Sequence, residues 1–189
     1  MPIPKFCRCA LATLVLAGIV FAEPALEFEV KAAFVLNFTK FVEWPPTAFA
    51  AADSPMVICI VGKDPFGRVL DDVVQGEAVN GRKVIVQRLS AIPAPQTCQL
   101  VYFAGPEKEL HSRLSSLGPG VLTVGEGDDF TRAGGMIGFV IENRRVRFDI
   151  NQAAAEGASA ELRDGHAYWL SQARLANTFL TIPTGGPGS

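Results

Sequence analysis

Short apolar runs rich in β-branched residues alternate with helix-forming segments along most of this chain, which strongly limits the folds it can adopt. Strands that alternate with helices predict a sheet of parallel character with helices packed on both faces. We therefore expect a single α/β domain, an α/β/α sandwich with a mixed sheet of about six strands. The predicted strands cover residues 57–61, 83–89, 98–104, 121–124, 136–142 and 146–151, and the predicted helices cover 27–43, 65–75, 107–117 and 152–180.

Two dipeptides mark tight turns between these elements. Asn80-Gly81 is a strong turn signal just before the second predicted strand. Asn143-Arg144 separates the last two predicted strands, which we expect to form an antiparallel β-hairpin at one side of the sheet.

The first predicted helix, residues 27–43, has an unusually broad apolar surface, and Pro45-Pro46 ends it. We expect this helix to be buried on most sides, although such a surface could also form a dimer contact. The apolar positions at helical spacing are Phe28, Ala32, Val35, Leu36 and Thr39, and Phe34, Phe38, Phe41 and Val42 widen the face.

The N-terminus has the pattern of a secretory signal peptide. Lys5 and Arg8 precede an uncharged run over residues 10–21, and small residues occupy the −3 and −1 positions before Glu23. The run is too short to cross a bilayer of about 30 Å as a helix. We therefore predict a cleaved signal peptide over residues 1–22, a domain over 23–182, a disordered tail over 183–189, and a periplasmic location.

The composition of the mature chain argues against two classes of partner. Cleavage removes two of the 17 basic residues and none of the 19 acidic residues, so 167 residues with a net charge of −4 remain. A nucleic-acid-binding protein normally presents a basic face. The mild acidity argues equally against an electrostatic attraction to anionic lipid.

Two cysteines remain in the mature chain, since Cys7 and Cys9 leave with the signal peptide. Cys59 and Cys98 form an even pair in an oxidising compartment, which predicts a disulfide. Each lies in or beside an apolar strand, and a bridge closing about 40 residues would contribute roughly 3.5–4 kcal/mol in the chain-entropy model. A redox-active pair is the alternative, but the sequence has no Cys-x-x-Cys arrangement.

Catalytic and metal-binding patterns are scarce. His111 and His166 are far apart, and no residues have metal-ligand spacing, so we predict no enzyme activity, no cofactor and no metal. The glycines and lysine of residues 62–67 superficially resemble a phosphate loop. Helix capping explains them better, with Asp64 as the N-cap and Pro65 as the first helical residue.

Three groups of residues are candidate contacts for a ligand or partner. Residues 64–67 and 125–128 each follow a strand, so Asp64, Phe66, Gly67 and Asp128 should lie at the carboxyl edge of the sheet, where open α/β sheets bind ligands. Asp128 could act in acid–base chemistry with Asp129, but a role in capping a short turn, with Asp129 solvated, is favoured.

Alternation along the last strand places Arg145 and Arg147 on one face. These two arginines could hold an anion or an acidic partner. They could equally form a solvated edge that discourages strand pairing.

Several sequence blocks, taken together, resemble the YfiR family of periplasmic proteins. They keep their order from about residue 30 to residue 151, roughly two-thirds of the chain. The blocks are Lys31-Ala32-Ala33-Phe34, Asn37-Phe38, Lys40-Phe41-Val42-Glu43-Trp44-Pro45, Ile58-Cys59-Ile60-Val61-Gly62, Asp64-Pro65-Phe66-Gly67, Val79-Asn80-Gly81-Arg82, Cys98, Leu122-Thr123-Val124-Gly125, Phe130, Gly134-Gly135-Met136-Ile137-Gly138-Phe139 and Arg145-Val146-Arg147-Phe148-Asp149-Ile150-Asn151.

The resemblance implies an α/β sandwich that often dimerises and has no known enzymatic activity. The best-known member of the family binds the periplasmic part of an inner-membrane diguanylate cyclase and holds the enzyme inactive, and an outer-membrane lipoprotein can sequester that repressor. Cys59 and Cys98 match positions that pair as a disulfide in the family. This chain departs from the family pattern at residues 158–169, which look like an insertion and place the identity of its partner in question.

The leading hypothesis is therefore a periplasmic regulator that represses a membrane signalling protein. The family resemblance implies a circuit in which cyclic-di-GMP controls biofilm formation. Contacts are expected on apolar residues flanking Trp44-Pro45-Pro46, around Phe66 and near Trp169, with buried packing as the alternative for each aromatic side chain. A small-ligand binding module that uses the crevice at the carboxyl edge is the second hypothesis.

Overall fold

The computed structural model describes residues 22–105, 110–118 and 120–158, and these form one seven-stranded sheet with helices on both faces. The strands are β1 (Met56–Gly62), β2 (Ala78–Val79), β3 (Arg82–Leu89), β4 (Leu100–Ala104), β5 (Leu122–Glu126), β6 (Ile137–Glu142) and β7 (Arg145–Ile150). The helices are α1 (Ala22–Phe41), α2 (Arg68–Val74), α3 (Leu110–Ser115), α4 (Gly127–Arg132) and α5 (Gln152–Ala158), with a 3₁₀ turn at Pro46–Ala48.

The α/β/α sandwich expected from the sequence is therefore confirmed. The predicted signal peptide, the 158–169 segment with Trp169, and the predicted tail lie outside the described residues, apart from the boundary residues Ala22 and Ala158. No described helix is both long and apolar enough to span a membrane.

The sheet has the strand order β2-β3-β1-β4-β5-β6-β7. The five strands from β3 to β6 are parallel, and β2 and β7 are antiparallel at the two ends. Because β1 lies between β3 and β4 with helices above and below, every residue of β1 except Gly62 is buried, and this strand is continuously apolar.

The sheet has one strand more than the six that the sequence predicts. The additional strand, β2, contains two residues that pair with Arg82 and Lys83 across the Asn80-Gly81 turn. Asn80 and Gly81 have φ values of 50° and 78°, the left-handed conformation that a two-residue hairpin requires at both central positions. The predicted turn is thus confirmed, but two residues are too few to show a strand period.

The last hairpin is also confirmed. β6 and β7 pair from Ile137 opposite Ile150 to Glu142 opposite Arg145. Asn143 and Arg144 connect them with φ values of 49° and 59°. Asparagine tolerates this left-handed region better than most residues do, which explains its place at the first position of the turn.

Helix α1 covers one face of the sheet, which we call the α1 face. Phe34 and Phe38 are buried and lie against Phe139 and Phe148, with ring centroids 4.9–6.1 Å apart. Most of α1 from Val30 to Thr39 is buried, as the broad apolar surface predicts. The helix ends at Phe41, before the proline pair.

The opposite face carries the disulfide between Cys59 and Cys98, so we call it the disulfide face. The bridge is confirmed; it joins β1 to the residue that lies two positions before β4, with a Cα–Cα distance of 5.9 Å. Both cysteines are buried, in a cluster with Phe103 and Phe130. The cluster also contains side chains of α3 and α4, which cover this face.

Candidate functional site

The carboxyl edge of the sheet is the place where the sequence predicts a ligand crevice, and the topology meets the geometric condition for one. The chain leaves β1 for β3 on one side, whereas β4 lies on the other side of β1. The strand order therefore reverses between β1 and β4, the position where open α/β sheets form a crevice. The loop after β1 lies beside this reversal point, and Gly127 and Asp128 follow β5 at the same edge.

Aromatic side chains of the chain itself fill this reversal point. The Phe66 ring, from the loop after β1, packs edge-on against Tyr102 of β4 with ring centroids 4.8 Å apart. Phe28 of α1 lies against Phe66 at 5.9 Å, also edge-on. Phe66 and Tyr102 are buried, so the aromatic residue that the sequence offers as a contact here is part of the core.

A charged cluster lies beside these rings, and its centre is Lys31 of α1. The ammonium group lies 2.5 Å from Glu27 Oε1 and 2.9 and 2.8 Å from the two carboxylate oxygens of Glu126. It also lies 5.3 and 5.7 Å from the ring centroids of Phe28 and Phe139, within the range of a cation–π interaction. Only 3% of Lys31 is exposed, so the lysine is desolvated and depends on these partners.

Tyr102 completes this cluster by donating its hydroxyl hydrogen to Glu126 Oε1. Burial raises the pKa of Tyr102, and the negative charge of Glu126 raises it further, so the phenol stays protonated. Glu126 thus accepts hydrogen bonds from Lys31 and from Tyr102. The cluster, which we call the Lys31 cluster, consists of Lys31, Glu27, Glu126 and Tyr102, and it fastens α1 to the carboxyl ends of β4 and β5.

Asp64 has a different role from the predicted one, and the N-cap assignment is wrong. Helix α2 begins at Arg68, and its N-cap is Gly67, whose φ of 54° is left-handed. The Asp64 carboxylate instead accepts a 2.7 Å hydrogen bond from the Phe66 N–H, which closes a turn two residues long. Because the carboxylate accepts the hydrogen bond of this local turn, it does not cap a helix that starts at Pro65.

Arg88 of β3 holds this loop in place. Its guanidinium donates to Asp64 Oδ2 at 2.6 Å, to the Gly67 carbonyl oxygen at 2.6 Å and to the carboxylate of Asp71 at 2.6 and 3.1 Å. The hydrogen bond from Arg88 lowers the pKa of Asp71. Asp64 and Gly67 are therefore structural parts of a clamp that keeps Phe66 inserted between Phe28 and Tyr102.

Asp128, Arg145 and Arg147 take no part in the hydrogen bonds of the Lys31 cluster. Asp128 is in the first turn of α4, 58% of its side chain is exposed, and no side-chain hydrogen bond caps the helix. Arg145 and Arg147 share one face of β7, as predicted, and Arg147 Nε lies 3.3 Å from Glu142 Oε2. The carboxyl group of Asp149 shares that strand face. Its pKa is raised by partial desolvation and by the charges of Asp128 and Glu142.

Trp44 is half-buried at the other end of α1. Its indole N–H donates to the Thr39 carbonyl oxygen at 2.9 Å, and its ring packs against the core. The segment then reaches the amino edge of the sheet, where Gln99 donates to the Ala48 carbonyl oxygen. Trp169 lies outside the described residues. The structure thus brings Asp64, Phe66 and Gly67 together at one place, and Arg145 and Arg147 together on one face of β7.

Sequence reasoning missed Lys31, Glu126 and Arg88 as organising residues. A lone lysine among buried apolar positions of α1 was the available signal, since a charge on a buried face needs a partner. Its partner could not be read, because Lys31 and Glu126 are 95 positions apart. Among the described residues, no group of three or more histidine, cysteine or acidic residues could hold a metal ion.

The glycines in the recognised sequence blocks have packing roles on the disulfide face. A Cβ atom at Gly125 or Gly135 would lie 2.4 or 2.1 Å from the ring of Phe130, so these two glycines form a slot for that ring. A Cβ atom at Gly138 would lie 2.7 Å from the Gly127 carbonyl oxygen, so this glycine lets α4 approach β6. These blocks therefore specify the fold around α4.

The comparisons with known proteins agree with the blocks. The model of the YfiR/HmsC-like family matches residues 28–164, which is more than half of the chain and spans all seven strands. No curated protein matches the chain at a significant level.

Proposed function

Because the chain belongs to the YfiR/HmsC-like family, we propose that it represses an inner-membrane signalling protein, a diguanylate cyclase, by binding the periplasmic region of that protein. Membership in this family supports a periplasmic regulatory role in general. An outer-membrane lipoprotein that competes for the same regulator, and a homodimeric state, belong to the same proposal.

One structural observation favours regulation by surface contact over binding of a small ligand. The reversal point at the carboxyl edge, where an open α/β sheet would bind a ligand, is filled by Phe28, Phe66 and Tyr102, and the Lys31 cluster lies beside it. The polar groups of that cluster bind one another.

A regulator of this kind acts by preferring one state of its partner. It can shift the partner between an active and an inactive state only by the difference between its affinities for the two. A hundredfold preference corresponds to about 2.7 kcal/mol, which lies within the usual range of allosteric coupling energies. The regulator itself needs no catalytic group for this work.

Ile141 is the first place to look for the contact. It is 51% exposed, and every other large hydrophobic side chain whose burial is described is more buried. It lies near the end of β6, one residue from Glu142, which pairs with the candidate residue Arg145 in the register of the hairpin. A single exposed apolar side chain is common on protein surfaces, so Ile141 serves as a probe of this surface, chosen because it lies beside the pair of Glu142 with Arg145.

The test is affinity capture of the tagged, exported chain after crosslinking in its native periplasm, with mass spectrometry of the captured membrane proteins. We expect one inner-membrane protein that carries a cytoplasmic diguanylate cyclase domain. The Ile141→Asp variant should lose it, whereas Ala52→Asp, which adds the same charge to an exposed loop, should retain it. Good recovery of the tagged chain with only soluble contaminants would overturn the proposal.

A further inference from the structure

The outer edge of β3 is only partly covered by β2. The two residues of β2 pair with Lys83 and Arg82, and the Glu77 carbonyl oxygen accepts one further bond, from the Val84 N–H at 3.0 Å. β3 continues to Leu89 and is paired with β1 along the other side throughout this length. Residues 85–89 of β3 therefore have a strand neighbour on one side only within the described chain.

Alternation along the strand fixes which backbone groups point outward. The Val84 N–H points to β2, so the N–H and C=O groups of Val86 and Arg88 point to the same outer side, and those of Ile85, Gln87 and Leu89 point to β1. No hydrogen bond from the described residues reaches Val86 or Arg88 on that outer side. Unpaired groups of this kind are a template for another strand.

We propose that a second copy of this chain pairs antiparallel with residues 85–89, about a two-fold axis at Gln87. β2 occupies the edge up to Val84, and the strand ends at Leu89, so the free stretch has five residues. A two-fold axis at Gln87 places residues 85–89 of one copy opposite residues 89–85 of the other. The pairing therefore uses only the free stretch of each copy and does not reach β2 of the other copy. Ile85 then lies opposite Leu89 of the second copy, and Gln87 lies opposite its own counterpart.

The side chains suit this pairing on both faces. On the disulfide face, Ile85 and Leu89 are half-buried apolar residues that would cover each other, and Gln87 would meet a second amide with which it can exchange hydrogen bonds. On the α1 face, Val86 would meet Arg88 of the second copy. The guanidinium of Arg88 is already paired with Asp64 and Asp71, so its positive charge is compensated within its own copy.

The pairing assigns a surface to the homodimer that forms part of the proposed function, but its test needs no membrane partner. Residues 85 and 89 would form non-hydrogen-bonded cross-strand pairs, with Cα atoms about 4.5 Å apart, a distance that a disulfide can span. Two copies of residue 85 would instead be about 13 Å apart along the strands. A mixture of Ile85→Cys and Leu89→Cys chains should therefore crosslink although neither chain crosslinks alone.

The experiment uses exported, purified chains at about 50 μM, gentle oxidation, and intact mass under non-reducing conditions. We expect the mixed 85–89 dimer to exceed either self-linked dimer at least tenfold. Arg145→Cys, which places an exposed thiol on the other edge of the sheet, measures random oxidation when it is mixed with either chain. Equal crosslinking in all mixtures, or none, would overturn the proposed register.

Sedimentation velocity tests the same surface without new thiols. Val86→Pro removes an outward N–H and should convert the dimer to a monomer. Its urea midpoint should fall less than that of Gln87→Pro, because it loses the dimer contact and part of the Val86 packing but no hydrogen bond to β1. Gln87→Pro removes an N–H that points to β1, so it should lower the urea midpoint strongly. A parent chain that sediments as a monomer at 100 μM would contradict the proposal. If such a monomer still captured a membrane partner, the regulatory proposal would hold although the dimer proposal had failed.

Discussion

Lys31 and Lys40 lie on the same helix and each contacts glutamate, yet we expect very different consequences when each is replaced. Lys31 is 3% exposed between Glu27 and Glu126, whereas the side chains of Lys40 and its partner Glu77 are both 39% exposed. Lys31→Met should lower the free energy of unfolding by about 2–3 kcal/mol, because it leaves two carboxylates without their cation. The estimate lies at or below the lower limit of the range for fully buried pairs, since both carboxylates are partly hydrated.

The matched control is Lys40→Met, which breaks a solvent-exposed pair and should cost less than about 1 kcal/mol. Urea unfolding followed by far-ultraviolet circular dichroism gives both free energies. Glu126→Gln in the Lys31→Met background should recover part of the loss, since it removes one uncompensated charge. Equal losses for the two lysine variants would contradict the assignment of the Lys31 cluster as the fastening point of α1.

The raised pKa of Asp149 predicts that its contribution to the free energy of unfolding depends on pH with the opposite sign from that of an ion-paired carboxylate. Asp149 is exposed, but partial desolvation of its carboxyl group and the charges of Asp128 and Glu142 raise its pKa above the ordinary value of 3.8. Between the unfolded and folded pKa values the native state binds more protons than the unfolded chain, so the contribution of Asp149 to stability falls as pH rises through this window. Above the folded pKa the ionised group is a net cost to folding.

Asp149→Asn should therefore raise the free energy of unfolding at pH 7, by no more than about 0.5 kcal/mol for a substitution at the surface. The advantage should disappear near pH 3.5, where Asp149 is protonated in the native state. Urea midpoints of parent and variant at the two pH values measure the difference, and other carboxylates such as Asp71 cancel in it. Asp72→Asn, at an exposed position of α2, controls for the removal of one charge. A variant that is less stable than the parent at pH 7 would contradict the prediction.

At the scale of elements, α4 depends on the glycine slot that receives the Phe130 ring. A Cβ at Gly135 would lie 2.1 Å from that ring, so Gly135→Ala should lower the free energy of unfolding by about 1–3 kcal/mol through overpacking. Phe130→Leu makes room in the slot. The loss of unfolding free energy in the double variant should therefore be smaller, by about 1 kcal/mol, than the sum of the losses in the two single variants. A urea-unfolding double-mutant cycle measures this coupling, and strict additivity would contradict the slot.

The elements themselves were largely predictable. The strands were recognisable because β1 and β4 are buried on both faces and are continuous apolar runs, and the two hairpin turns use Asn at a left-handed position. β2 was missed because a two-residue strand has no period. The start of α2 was predicted three residues too early, since Asp64 closes a local turn with the Phe66 N–H instead of capping a helix.

The site was less predictable than the fold because its contacts join distant parts of the chain. The disulfide could be predicted since only two cysteines remain in the predicted mature chain. The Lys31 cluster could not, because Tyr102 and Glu126 are 24 positions apart and Lys31 is 95 positions from Glu126. Phe66 was expected at the carboxyl edge and lies there, but the position of α1 above it decides that the ring is buried.

At the scale of the whole molecule, export, processing and disulfide formation should be coupled, and a count of free thiols distinguishes the combinations. The chain has four cysteines, of which Cys7 and Cys9 lie in the predicted signal peptide and Cys59 and Cys98 form the bridge. The exported chain, denatured and alkylated without reductant, should carry no label, since the first pair is removed and the second pair is oxidised. The same chain produced in the cytoplasm without residues 1–22 should carry two labels.

Loss of the bridge should lower the free energy of unfolding by about 4 kcal/mol in the chain-entropy model, because it closes a loop with a sequence separation of 39. Urea unfolding with and without reductant measures this loss, and the Cys59→Ala, Cys98→Ala double variant should be insensitive to reductant. Two labels on the exported chain, with an intact mass that includes residues 1–22, would show that the predicted cleavage fails. Two labels with the processed mass would show instead that cleavage occurs and that the bridge does not form during export.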